Sequence, residues 1–168
     1  MSWVLPRTIN HILSEKHYLG PIGRGIAWQD EFGVLVLTTP TARYIPQNWL
    51  ELARWCLYGM KNGGSQQWAR VVKALRHSEQ HSRFTTVVSY SDPSVGHTGS
   101  LYKACNWIWA PTWHRLRPPP SGNGNWGNGQ QSVKDRWIFP LRDDLHRTEV
   151  VRIKDESVTR QHIGRVYA

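Results

Sequence analysis

Cysteine occurs only twice in these 168 residues, as Cys56 and Cys105. That is too few for a disulfide framework, and the spacing is not that of a zinc site. Both sit among apolar neighbours, so buried free thiols are expected. No apolar run approaches the roughly 20 residues of a membrane-spanning helix. The N-terminus does not read as a secretion leader, so the expectation is a soluble, intracellular protein with no membrane partner. Acidic residues are also scarce: 12 Asp and Glu stand against 21 Lys and Arg, a net charge of +9. That imbalance favours a polyanionic partner. The ten tryptophans are the counterweight to these shortages. Some must be core, yet tryptophan interleaved with arginine is also how proteins stack on unpaired bases. Nucleic acid is therefore the favoured partner class, and a basic enzyme with no nucleic-acid role is the plainer alternative. The length fits one domain with a real core.

Along the chain, Ile9, Ile12 and Leu13 recur at helical spacing between Pro6 and Lys16, with Gly20 as the stop. His17 at that helix end is favoured as a cation by the helix dipole, while a capping histidine beside a packed tyrosine is the reading this segment alone favours. Gly25 to Thr39 reads as a hairpin whose second, continuously apolar arm is central in a sheet. Arg43 lies in the loop after it. Trp49 to Tyr58 fits a strand or a helix, and periodicity does not decide between them. Asn62-Gly63-Gly64-Ser65 then opens a clear amphipathic helix with Trp68, Val71, Val72 and Leu75 on one face. Free amides at such a start suit a pyrophosphate, although Asn-Gly-Gly is also an ordinary surface turn.

The stretch from Arg83 to Trp109 carries the strongest pattern. An apolar run over 84–90 predicts a strand, Ser91-Asp92-Pro93 a turn, and 97–108 a helix. In that helix Leu101, Ala104, Cys105 and Ile108 would pack inward. Thr98, Tyr102 and Asn106 would form a polar stripe, and His97 would face the core. Two successive crossovers predict parallel pairing. Ligands in such sheets bind at the carboxyl ends of the strands, which places Asp92, His97 and Tyr102 where chemistry would sit. Beyond Trp109, residues 118–131 are a Pro/Gly/Asn-rich segment read as a flexible loop, a substrate lid with Trp126 at its tip or a passive linker. His114, Arg115 and Arg117 precede it. A strand (KDRWIFPLR), an edge strand over Glu149 to Lys154 and a basic tail complete the chain.

Ser89-Tyr90-Ser91-Asp92-Pro93, Gly96-His97-Thr98-Gly99 and Tyr102-Lys103-Ala104-Cys105-Asn106-Trp107 together closely resemble the signature of the Mom family of bacteriophage DNA-modification proteins. Asn10-His11 onward to His17-Tyr18-Leu19-Gly20 resembles its N-terminal His-Tyr pair, and Leu50 to Arg54 its strand ending in arginine. The matching motifs cover roughly residues 10 to 110. The resemblance implies an α/β (α+β) class with a single GNAT-like domain, a mixed central sheet flanked by helices. It makes 49–58 a central strand and 61–65 an acyl-CoA pyrophosphate loop. The activity implied is conversion of adenine in double-stranded DNA to an N6-carbamoylmethyl adenine, which protects phage DNA from host restriction. Acyl-CoA and iron are the implied cofactors. A phage- or prophage-encoded protein in the host cytoplasm is the implied setting, with a homodimer left open.

On that resemblance Asp92 is the candidate base or metal ligand, and Tyr102 the acid that protonates a leaving thiolate. His17 and Tyr18 match the family's active-site pair and with Asp92 would make an iron site. Arg54, Asn62, Gly63, Gly64 and Ser65 would hold the cofactor phosphates. His97, Asn106, Arg115 and Trp126 would contact DNA, Asn106 by pairing with adenine. The alternatives are an ordinary GNAT-type N-acyltransferase acting on a small amine or protein, and a non-catalytic DNA-binding protein.

Overall fold

A computed structural model describes residues 2–40, 42, 45–110 and 134–142. The order is β1 (Ser2–Val4), α1 (Pro6–Lys16), β2 (Ile26–Asp30), β3 (Gly33–Thr38), β4 (Trp49–Leu57), α2 (Gly63–His77), β5 (Thr86–Ser91), α3 (Ser100–Ala104), β6 (Ile108–Trp109) and β7 (Asp135–Pro140). One mixed sheet runs β1-β2-β3-β4-β5-β7-β6. Its neighbours are antiparallel except β4 and β5, which run parallel. This is a mixed α/β sheet of the kind the resemblance implies, and it settles Trp49–Leu57 as a strand.

The sheet is covered on both faces. Pro6 opens α1 at a position where a missing N–H costs nothing, and Ile9 and Leu13 bury against Ala27, Val34, Val36 and Cys56. α2 lays Trp68, Val71, Val72 and Leu75 on the opposite face, against Leu35, Leu37, Leu50 and Leu52. β2, β3 and β4 therefore send alternate residues to α1 and α2, which explains the unbroken apolar run of β3. A third cluster joins Ile45, Trp49, Val88, Ala110 and Ile138. Cys56 and Cys105 are buried free thiols, as expected.

The last third departs from expectation. The helix expected over 97–108 is confined to Ser100–Ala104. Asn106 adopts a left-handed φ of 59°, and the chain then enters β6, which pairs with β7. Ala104 is accordingly exposed rather than inward. β5 pairs with β7 antiparallel, so only the first of the two expected parallel crossovers forms. Arg43, His114, Arg115, Arg117, Trp126, the 118–131 segment, the 149–154 strand and the basic tail lie outside the described residues.

Candidate active site

β4 and β5 pair only from Trp49 to Glu51 and from Thr86 to Val88. Within β4 the register to β3 slips between the partners of Val36 and Leu37, leaving Ala53 as the extra residue of a bulge. Bulges turn a strand and re-aim its side chains. Beyond the bulge Arg54 and Cys56 stay on the α1 face while Trp55 faces α2. At the carboxyl ends of β4 and β5 a cleft of about 330 Å³ opens. Its walls include His17, Tyr18, Glu51, Arg54, Trp55, Ser89, His97, Tyr102 and Lys134.

Tyr102 is held most firmly. Its ring stacks on Trp137 at 5.3 Å and 11° and meets the edges of Trp55 and Trp107. Trp137 in turn lies on Gly99 and donates its indole N–H to Ser91 Oγ at 2.9 Å. The Tyr102 hydroxyl lies 2.9 Å from Ser89 Oγ. Burial pushes its pKa up to about 12 despite that hydrogen bond, so it stays protonated at neutral pH.

At the other wall His17 and Tyr18 stack at 5.0 Å, and His97 meets Tyr18 edge-on at 5.2 Å. The His17–Gly20 segment is fixed by Arg54, whose Nε donates to Gly20 O at 2.9 Å and Nη2 to Leu19 O at 3.3 Å. A third donor, Nη1, reaches Ala53 O at 2.8 Å. His17 is a turn-capping histidine stacked on its tyrosine neighbour rather than a helix-end cation. Burial first, then Arg54 and His97, lower its pKa to about 4. Its Nδ1 accepts the Leu19 N–H at 3.2 Å, which requires that nitrogen unprotonated. His97 is exposed, against the expectation of a core-facing ring.

The structure therefore brings His17, Tyr18, Arg54, His97 and Tyr102 to one cleft. Asp92 is 5 % exposed just past β5 and is not in the cleft wall. Its charge still reaches Tyr18, whose phenol is raised above its usual pKa by burial and then by Asp92. Asn106 is exposed on the left-handed turn after α3, off any helical stripe with Tyr102. Asn62 to Ser65 begin α2 without a side-chain cap, and Ser65 Oγ donates to Asn62 O at 3.0 Å. Arg54 lies on the opposite face of the sheet from α2, so Arg54 and Ser65 do not converge on one phosphate. Glu51, Trp55, Ser89 and Lys134 were not singled out as site residues. Ser89 lies inside the 89–107 motif, and only the end of the parallel ladder gives it a role.

The implied cofactors fare differently. The start of α2 lies beside the cleft, because Gly64 packs on Leu101 of its wall; the positive end of a helix dipole there suits an anionic cofactor arm. Iron does not fit. Among the described residues no three His, Cys, Asp or Glu form a metal group. Asp92, the carboxylate of the implied site, is not among the residues of the cleft wall.

The model of the Mom protein family matches residues 12–118. The chain belongs to that family. Within this Mom-family chain the match covers every described residue of the cleft except Lys134. No curated protein matches it significantly. Among solved structures, an acetyltransferase of Bacillus subtilis in complex with CoA is similar, at 20% identity and a TM-score of 0.44. The overlap covers 71% of this chain and 78% of that one, a likeness too loose to say anything of ligands here. Among the described residues no helix is long and apolar enough to cross a membrane.

Proposed function

We propose that this protein is a transferase that modifies adenine at N6 in double-stranded DNA, leaving the carbamoylmethyl group implied by its family and shielding phage DNA from restriction. Membership of the Mom family is the observation that carries the reading. The site is compatible with it. A cleft of about 330 Å³ is at the small end of ligand pockets. It has room for one extruded base and a small transferred group rather than a duplex. N6 is buried in the stack of B-DNA, so the base must leave the helix to be reached, and the net charge of +9 supplies attraction to the backbone. Acyl-CoA is the proposed cofactor, but simple attack of N6 on its thioester carbonyl is not the proposed step. Transfer from a thioester alone leaves an amide at N6, whereas carbamoylmethyl is joined through a methylene, so the product itself reports the chemistry.

The test is to express the protein and digest cellular DNA to nucleosides for fragmentation mass spectrometry. A modified deoxyadenosine is expected. Unmodified nucleosides from cells holding soluble, folded protein would sink the proposal. Transfer from acyl-CoA to small amines without DNA would favour the ordinary acyltransferase. Salt-sensitive DNA binding that leaves bases unchanged would favour the non-catalytic binder. Asp92→Asn should abolish modification in folded protein; if modification persists, Asp92 has no part in the reaction.

A further inference from the structure

Ser89 stands where the parallel pairing of β4 and β5 ends. The last paired residues are Glu51 and Val88, and one position on, the Ser89 hydroxyl donates to Leu52 O at 2.9 Å. A serine hydroxyl has one proton and a carbonyl only accepts, so that proton is committed. The Tyr102 hydroxyl lies 2.9 Å from the same Oγ. With both bonds made, Tyr102 must be the donor and Ser89 the acceptor. Ser89 is 1% exposed, which keeps bulk water from competing for this pair. Trp137, Trp55 and Trp107 hold the tyrosine ring in place. Both Ser89 and Tyr102 line the cleft. Since its single proton is turned to Ser89, the Tyr102 oxygen has only acceptor capacity left for a group in the cleft.

We infer that Ser89 is a positioning residue that fixes Tyr102 as a hydrogen-bond acceptor, selecting a substrate that presents an N–H donor there over one that presents a carbonyl oxygen. The inference rests on the adenine reading above. Adenine carries an amino donor at its sixth position, and hypoxanthine carries a carbonyl at the same place. A buried acceptor facing a carbonyl leaves both unpaired. In this resting arrangement Tyr102 does not offer its proton to a leaving thiolate; it orients the attacking amine.

The test compares binding of duplexes holding a mismatched, readily extruded adenine with the same duplexes holding hypoxanthine. Wild type is expected to prefer adenine by about tenfold or more. Ser89→Ala frees the tyrosine proton and should shrink the preference to within about threefold, chiefly by tightening hypoxanthine binding. Ser89→Thr keeps the hydroxyl and should keep the preference. Tyr102→Phe should lose it by weakening adenine, and adding Ser89→Ala to Tyr102→Phe should change nothing more. A Ser89→Ala protein with a native melting curve and an undiminished preference overturns the inference. So does an equal further loss on the Tyr102→Phe background, which would make the serine a packing residue. If Ser89→Ala does not fold, full preference in Tyr102→Phe overturns it instead. Wild type that does not distinguish the two bases overturns the adenine reading, and this inference with it.

Discussion

Protonating His17 would set a cation beside Arg54 in half-buried surroundings and remove the lone pair that receives the Leu19 N–H. Its pKa falls from the ordinary 6.5 to about 4 in the fold, so between those values the unfolded chain binds the extra proton and the folded chain does not. Stability from this group is full above pH 6.5 and is lost as pH falls towards 4. Melting temperatures across that window should fall less steeply for His17→Gln than for wild type; parallel curves would remove His17 as the cause. Gly99 makes a second residue-level point. At φ +72 its Cβ position is filled by the Trp137 indole. Gly99→Ala should cost at least about 2 kcal/mol, read by denaturant unfolding, and should loosen the ring on which Tyr102 stacks.

Among the elements, β4 is tied to α2 and to the β2–β3 turn by a buried polar chain. Asp30 accepts from Trp28 Nε1, Phe32 N and Gln67 Nε2, and Gln67 Oε1 accepts from Trp55 Nε1 at 2.7 Å. Gln67→Leu would strand the Trp55 indole N–H and take one of three hydrogen-bond donors from Asp30, with an expected cost of about 2 kcal/mol in chemical denaturation; a loss under about 0.5 kcal/mol would mean the chain is redundant. Elements with a local signature were legible from sequence: α1 through Pro6 and the Ile9/Ile12/Leu13 spacing, the β2–β3 hairpin, and α2 through its apolar face. Local spacing left β4 undecided, because the bulge at Ala53 blurs the period of two. Leu101, Ala104, Cys105 and Ile108 imitate a helical stripe, so local spacing predicts a longer α3 than the five residues that form. What ends it is the backbone of Asn106 and the pairing of Ile108 and Trp109 with β7. Those partners are distant in sequence and leave no local trace. The cleft was half legible. Its His-Tyr pair and Tyr102 were named, whereas Ser89, Trp55 and Glu51 join it only through the way β4 and β5 part.

For the whole molecule, the tryptophan excess is mostly structural. Trp28, Trp49, Trp68, Trp107 and Trp137 are buried, and Trp109 is the exposed one at 50% among the described residues. Among the described residues base stacking therefore has little tryptophan to draw on, and under the proposed function attraction to DNA would fall chiefly to charge. Duplex binding should weaken by tenfold or more between roughly 50 and 200 mM salt, in a titration by fluorescence anisotropy; a flat response would argue against backbone contacts. The short seam between β4 and β5 has a mechanical meaning. The antiparallel set β1-β2-β3-β4 and the set β5-β7-β6 meet along three register pairs, Trp49 with Thr86 to Glu51 with Val88. Whatever occupies the cleft touches both halves at once, so it acts as a splint across a hinge. Amide exchange should slow on binding throughout β5 and β7 as well as in the cleft walls, as two plates begin to fluctuate as one.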